Sequence, residues 1–180
     1  MKRKSSLSHA LSVVLACALS LPAAAQNLRL PERTTPRPVT TDDVPHIQID
    51  IAPVPELSEQ LLERVDAMTG VEIRRTVISL PGALGFWLED TVPVANPGAI
   101  VRGREFAHIH PDGSLHASLN PVVAEAAIDA GWAVWHPWSS SRPGWEGFVM
   151  IYTPQSQQEL DVVMELIASS YEYVTGQSPS

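Results

Sequence analysis

The sequence predicts an α+β domain in which a mainly antiparallel sheet, with a β-hairpin at its centre, packs against about three helices. Three observations point there. Strand-like and helix-like segments mix without a regular βαβ alternation, which disfavours a parallel sheet. The run His110-Pro111-Asp112-Gly113, with alternating residues on both sides, is a hairpin turn signal. Two helix starts are written as caps, at Asn120-Pro121 and at Ser156-Gln157-Gln158-Glu159.

The elements follow in order. Residues 1–25 form a secretory signal: a basic start (Lys2, Arg3, Lys4), an apolar run from Ala10 to Leu21, then Ala23-Ala24-Ala25 with cleavage expected before Gln26. An alternative is a lipoprotein signal with the lipid on Cys17. The apolar run is too short to be a comfortable membrane anchor. Residues 26–45 hold Pro31, Pro36, Pro38 and Pro45 with no apolar period, an extended linker. A single domain spans 46–176, with a tail at 177–180.

Ile47, Ile49 and Ile51 alternate with Gln48 and Asp50, predicting a half-buried strand. Leu57, Leu61, Leu62, Val65 and Met68 recur at helical spacing up to Gly70. Val71 to Leu80 is β-rich, and Leu84 to Leu88 reads as a strand. A helix opens at Pro121 and ends at Gly131. Phe148 to Tyr152 is a strand. The last helix carries the stripe Leu160, Val163, Ile167, Tyr171, Val174.

Composition narrows the chemistry. The 180 residues carry a formal charge of −8. With the signal removed, nine arginines face 20 acidic residues, a charge of −11. Every Lys and the only Cys lie in the signal, so the mature chain offers no thiol, no disulfide and no Schiff-base lysine. An acidic chain without a basic tract is a poor partner for nucleic acid or an anionic membrane. The expected partner is a small molecule. Nothing in the sequence sets an oligomeric state.

What remains is histidine. Four of the six fall between His108 and His136. Proline second, Asp third and Gly fourth suit a type I turn continued into a three-residue loop with a bulge. In that register His110 faces Ser114 and His108 faces His116. One face then carries Phe106, His108, His110, Ser114, His116 and Ser118, and the other Ala107, Ile109, Leu115, Ala117 and Leu119. The uniformly apolar set is the core face. Three imidazoles on one face could ligate a divalent metal through His108, His110 and His116, serve as general bases, or form a polar surface. Four of the five tryptophans, Trp132, Trp135, Trp138 and Trp145, surround His136-Pro137, and large flat side chains suit a planar ligand.

The segment Arg104-Glu105-Phe106-Ala107-His108-Ile109-His110, followed by Ser114-Leu115-His116, Gly131-Trp132, His136-Pro137 and Tyr152-Thr153-Pro154, resembles the luciferase domain family, which includes fungal luciferase. The resemblance covers roughly 46–175. It implies oxidation of a hydroxylated styryl-pyrone by molecular oxygen with no organic cofactor. It also implies a pocket lined by His108, His110, His116 and His136, with Arg104 and Glu105 beside it. Phe106, Ser114, Trp135 and Trp138 are the further candidates for substrate contact. The chain departs from the family pattern at Trp138, where a smaller aliphatic residue is usual, and at Gln155, where an Arg usually follows. The leading expectation is an exported, cofactor-free oxygenase-like enzyme. The alternatives are a metal-dependent enzyme on the same His cluster and a non-catalytic periplasmic binding or envelope module.

Overall fold

A computed structural model describes residues 29–179. The signal expected over 1–25 and its cleavage point lie outside them. Among the described residues no helix is long and apolar enough to cross a membrane.

The fold is α+β, as expected. Helix α1 (Pro55–Asp66) leads into strands β1 (Val71–Arg75) and β2 (Leu84–Leu88). After a short 3-10 turn at Pro97–Ala99 come β3 (Glu105–Ile109) and β4 (Leu115–Ser118), the central hairpin. Helix α2 (Pro121–Asp129), β5 (Ala133–Trp135), β6 (Phe148–Ile151) and α3 (Gln157–Thr175) complete the chain. The six strands form one antiparallel sheet in the order β1-β2-β3-β4-β6-β5.

The helices form where the sequence provides both stripe and cap. On α1, Leu57, Leu61 and Val65 are buried at four-residue spacing. The Asn120 side chain accepts from the Val122 N–H, and Pro121 occupies the first turn of α2, where its missing N–H costs nothing. Ser156 caps α3 by accepting from Glu159 N–H, and Gly176 closes it in the left-handed conformation. Helix α3 is the central core element: Leu160, Val163, Leu166, Ile167 and Val174 are each fully buried. It packs on β3, β4 and α1, so Phe86, Ala107, Leu115 and Ala117 meet helices from one side.

The alternation at 47–51 does not produce a strand. Only Thr40 and Gln48 form an isolated bridge. His46 and Gln48 turn inward, while Ile49 is 62% exposed. The reason is polar. Gln48 Nε2 donates to Thr153 Oγ1 at 2.6 Å, and its Oε1 accepts from Thr153 N–H at 3.1 Å. Two hydrogen bonds into the body outweigh the burial of one isoleucine.

Residues 29–45, read as a linker, contain no helix and run as a strap fastened to the body. Trp132 Nε1 donates to Pro31 O at 2.6 Å. The Arg33 guanidinium is buried, lies over the Trp132 and Tyr152 rings, and pairs with Glu159 at 3.0 Å. The Glu159 carboxylate also accepts from Thr35 Oγ1 and Gln155 N–H, so the expected capping-box carboxylate serves the strap as well as its own helix. Burial lowers the pKa of Arg33, and Glu159 opposes that shift. Removing one partner of a buried ion pair strands the other charge, which costs about 3–5 kcal/mol. Glu159→Ala is therefore expected to destabilise the fold by about that amount in urea unfolding, whereas Asp161→Ala, which breaks an exposed pair with Arg64, changes it by under about 1 kcal/mol.

Candidate active site

The hairpin adopts the expected register. His108 pairs with His116, Ala107 with Ala117 and Ile109 with Leu115. His110 N–H donates to Ser114 O, and Gly113 N–H donates to His110 O. Gly113 sits at φ 82°, a left-handed position that glycine takes without strain. Asp112 caps the turn by accepting from both the N–H and the hydroxyl of Ser114.

Strand β3 departs from simple alternation. Phe86 pairs with Ala107 and Trp87 with Glu105, so Phe106 is the extra residue of a β-bulge. The bulge reverses the side-chain alternation at the start of the strand. Phe106, expected on the imidazole face, enters the core between Phe86 and Tyr171. Glu105 takes its place, 2% exposed, with Oε1 3.1 Å from His108 Nδ1. Thr76 Oγ1 and the Val77 N–H donate to the same carboxylate. The position opposite His108 is Gly85, where a Cβ would stand 2.8 Å from Glu105 Cδ; glycine leaves the carboxylate its room.

The imidazole face of the sheet is roofed by residues 44–46, 78–80 and 136–138, which enclose a cavity of about 230 Å³. His46, His108, His110, His116 and His136 all line it, with Ile78, Leu80, Trp138 and Phe148 as apolar walls. All five imidazoles are buried. His46 stacks parallel to His116 with centroids 5.3 Å apart, and His136 stands edge-on to His116 at 4.5 Å. His46 has no sequence signature: it sits 62 positions before its nearest partner, and no local period links them.

Hydrogen bonds assign the ring protons. The Ser114 hydroxyl is spent on Asp112, so His110 Nδ1, 3.0 Å from Ser114 Oγ, must be the donor there. His110 Nε2 then carries a lone pair, and it is buried with no partner. His108 Nδ1 faces the Glu105 carboxylate, which leaves its Nε2 as an acceptor, 3.1 Å from His116 Nδ1. His116 Nε2 in turn lies 3.3 Å from His46 Nδ1. The Trp138 N–H donates to His136 Nδ1, so the proton of that neutral ring is on Nε2. Burial lowers the pKa of His46 and pushes His110 down to about 4 and His136 to about 3. His116 falls well below its usual value, first through burial and then through its imidazole neighbours. One ring nitrogen from each of His108, His110 and His116 lies within 4.8 Å of the others, and the same holds for His46, His116 and His136.

The remaining candidates are placed differently. Arg104 is outside the cavity: its guanidinium donates to the carbonyls of Leu88, Glu89 and Val92 and ties down the loop after β2. Ser114 and Glu105 stand behind His110 and His108 and do not line the cavity. Trp138 is a wall and stacks on Trp145 at 5.9 Å. Trp135 lies on the short edge strand β5, 40% exposed, and away from the cavity.

Residues 103–170 match the family model described as Luciferase domain. The chain is 31% identical over 168 residues to a luciferase of Armillaria gallica and 30% identical over the same length to one of Armillaria mellea. Each alignment covers 81% of this chain and 61% of the relative, so the chain spans less than two thirds of the curated relatives it matches. No solved structure matches it.

The lowered pKa values make stability depend on pH. An unfolded histidine titrates near about 6.5, whereas folded His110 and His136 stay neutral down to about 4 and about 3. Between those limits only the unfolded chain takes up these protons, so stability is full above about pH 6.5 and falls as pH drops towards 4. Melting temperature should be level above pH 7 and fall between pH 6.5 and 4, with a shallower fall in His136→Gln. Equal slopes in the two proteins would contradict a neutral, buried His136.

Proposed function

Because the chain belongs to the luciferase domain family, we propose that its imidazole-lined cavity binds a small planar organic molecule of the pyrone or phenol type and activates it towards molecular oxygen with no organic cofactor. The observation that carries this reading is His110. Its ring lines the cavity, its Nε2 is buried without a partner, and Nδ1 is tied to Ser114 and through it to Asp112. A neutral ring held in one tautomer against the ligand space is what a general base requires. The cavity, about 230 Å³, is at the small end of ligand sites and suits one or two rings between Leu80, Phe148 and Trp138.

In this reading His110 takes the proton of an acidic C–H or enol O–H and leaves a delocalised anion. The ring carbon of that anion gives an electron pair to oxygen, a C–O bond forms, and oxygen is reduced to the peroxide level as the substrate is oxidised. The peroxide then takes up the proton held by His110. An imidazole with a pKa near 4 accepts a proton only if the anion is stabilised at the same time. His136 is suited to that task, since its Nε2–H is a donor on the cavity wall. Glu105 acts behind His108, and Trp138 stands where the family pattern has a smaller residue, which favours a ligand unlike those of its relatives.

The basic start, apolar run and Ala23-Ala24-Ala25 support export to the periplasm or beyond; sequencing the N-terminus of the mature protein is expected to begin at Gln26. The reaction is tested with a hydroxylated styryl-pyrone as probe, by oxygen uptake and by quenching of tryptophan fluorescence. His110→Ala should slow oxygen uptake by about 100-fold or more while changing probe affinity only a few-fold. Binding by the wild-type protein without oxygen uptake would show a ligand-binding module and sink the oxygenation reading.

A further inference from the structure

We propose that His108, His110 and His116 form a three-nitrogen site for a divalent transition metal, with zinc as the fitting probe. Each ring already has the outer partner that such a ligand needs. Metal-bound histidines almost always donate their other N–H to a carboxylate, carbonyl or similar group, which fixes ring and tautomer. His108 Nδ1 is 3.1 Å from the buried Glu105 carboxylate. His110 Nδ1 is 3.0 Å from Ser114 Oγ, itself bound to Asp112. His116 has His46 as its partner: when Nδ1 takes the metal its proton moves to Nε2, which donates to His46 Nδ1 at 3.3 Å, and His46 then carries its own proton on Nε2.

The nitrogens turned inward are then His108 Nε2, His110 Nε2 and His116 Nδ1. The first and last are 3.1 Å apart, and the second is buried without any partner. Tetrahedral zinc with bonds of about 2.0–2.1 Å sets its ligands about 3.3 Å apart, so small side-chain movements close the trio. All three rings sit on the rigid central hairpin, two of them directly opposed across the strands. All three rings line the cavity. The competing trio fits less well. Trp138 N–H occupies His136 Nδ1, which leaves a proton and no lone pair on Nε2.

The metal site does not require the reaction proposed above, but it bears on it: a metal on His110 Nε2 takes the lone pair assigned to the base. Zinc binding to the metal-stripped full-length protein is measured by calorimetry and by metal analysis after gel filtration. One zinc per chain is expected. His108→Ala and His110→Ala should each lose about 100-fold or more in affinity. Glu105→Gln should lose about 10–100-fold through the outer partner alone, which keeps the test valid if a His variant folds poorly. His136→Ala should bind within about 3-fold of wild type. No retained zinc, or a loss that follows His136 and leaves His108→Ala and His110→Ala unchanged, overturns the site. With the pyrone probe, zinc is expected to suppress oxygen uptake. Zinc bound at one per chain with uptake undiminished leaves the metal site standing and removes His110 as the base.

Discussion

The contact between Glu105 and His108 is the constraint on which the site depends. A carboxylate that is 2% exposed is costly unless its oxygens are met, and here Thr76, Val77 and His108 meet them. Once Glu105 holds Nδ1 of His108, the free nitrogen of that ring must face His116, and the orientation of His116 follows. The bulge at Phe106 and the bare Cα of Gly85 exist on the same account: one delivers the carboxylate to the imidazole face, the other leaves it room.

Burial lowers the pKa of four of the imidazoles that share the cavity, His46, His110, His116 and His136. Each ring, if protonated, would raise the cost of protonating the next, and burial already disfavours the charged form. The cluster is therefore a set of lone pairs and N–H donors whose arrangement is fixed by neighbours outside it: Asp112 and Ser114 behind His110, Glu105 behind His108, the Trp138 N–H behind His136. Such a set can bind a planar ligand, move a proton or hold a cation, and the hairpin carries the same geometry into each task.

The parts of the fold that the sequence made legible are those with local causes. The caps of α2 and α3, the strand at 84–88 and the register of the hairpin come from residues within a few positions of one another, and the turn Pro111-Asp112-Gly113 alone places His108 opposite His116. The departures from local pattern have distant causes. Phe106 leaves the imidazole face because β2, some 20 residues earlier, is one residue short of matching β3. Arg104 looks like a ligand contact beside a His motif, yet three carbonyls of another loop claim it. The Ile47–Ile51 alternation is overridden by Gln48 reaching Thr153 across 105 residues, and the same docking brings His46 into the cavity.

The cavity's two sides differ in where they lie along the chain. His108, His110, His116, His136 and Trp138 fall inside the segment 103–170 that defines the family match, whereas Val44, Pro45, His46, Ile78, Ser79 and Leu80 all precede it. The reactive nitrogens are thus bound to the architecture of the hairpin, while much of the surface that a ligand's outline must fit is contributed by a strap and a loop that the sheet does not need for its strand order. Apart from His46, shape selection and chemistry occupy separable stretches of sequence, so a change of ligand can be accommodated by rewriting Val44, Pro45 and residues 78–80 without disturbing a single strand pairing of the imidazole face.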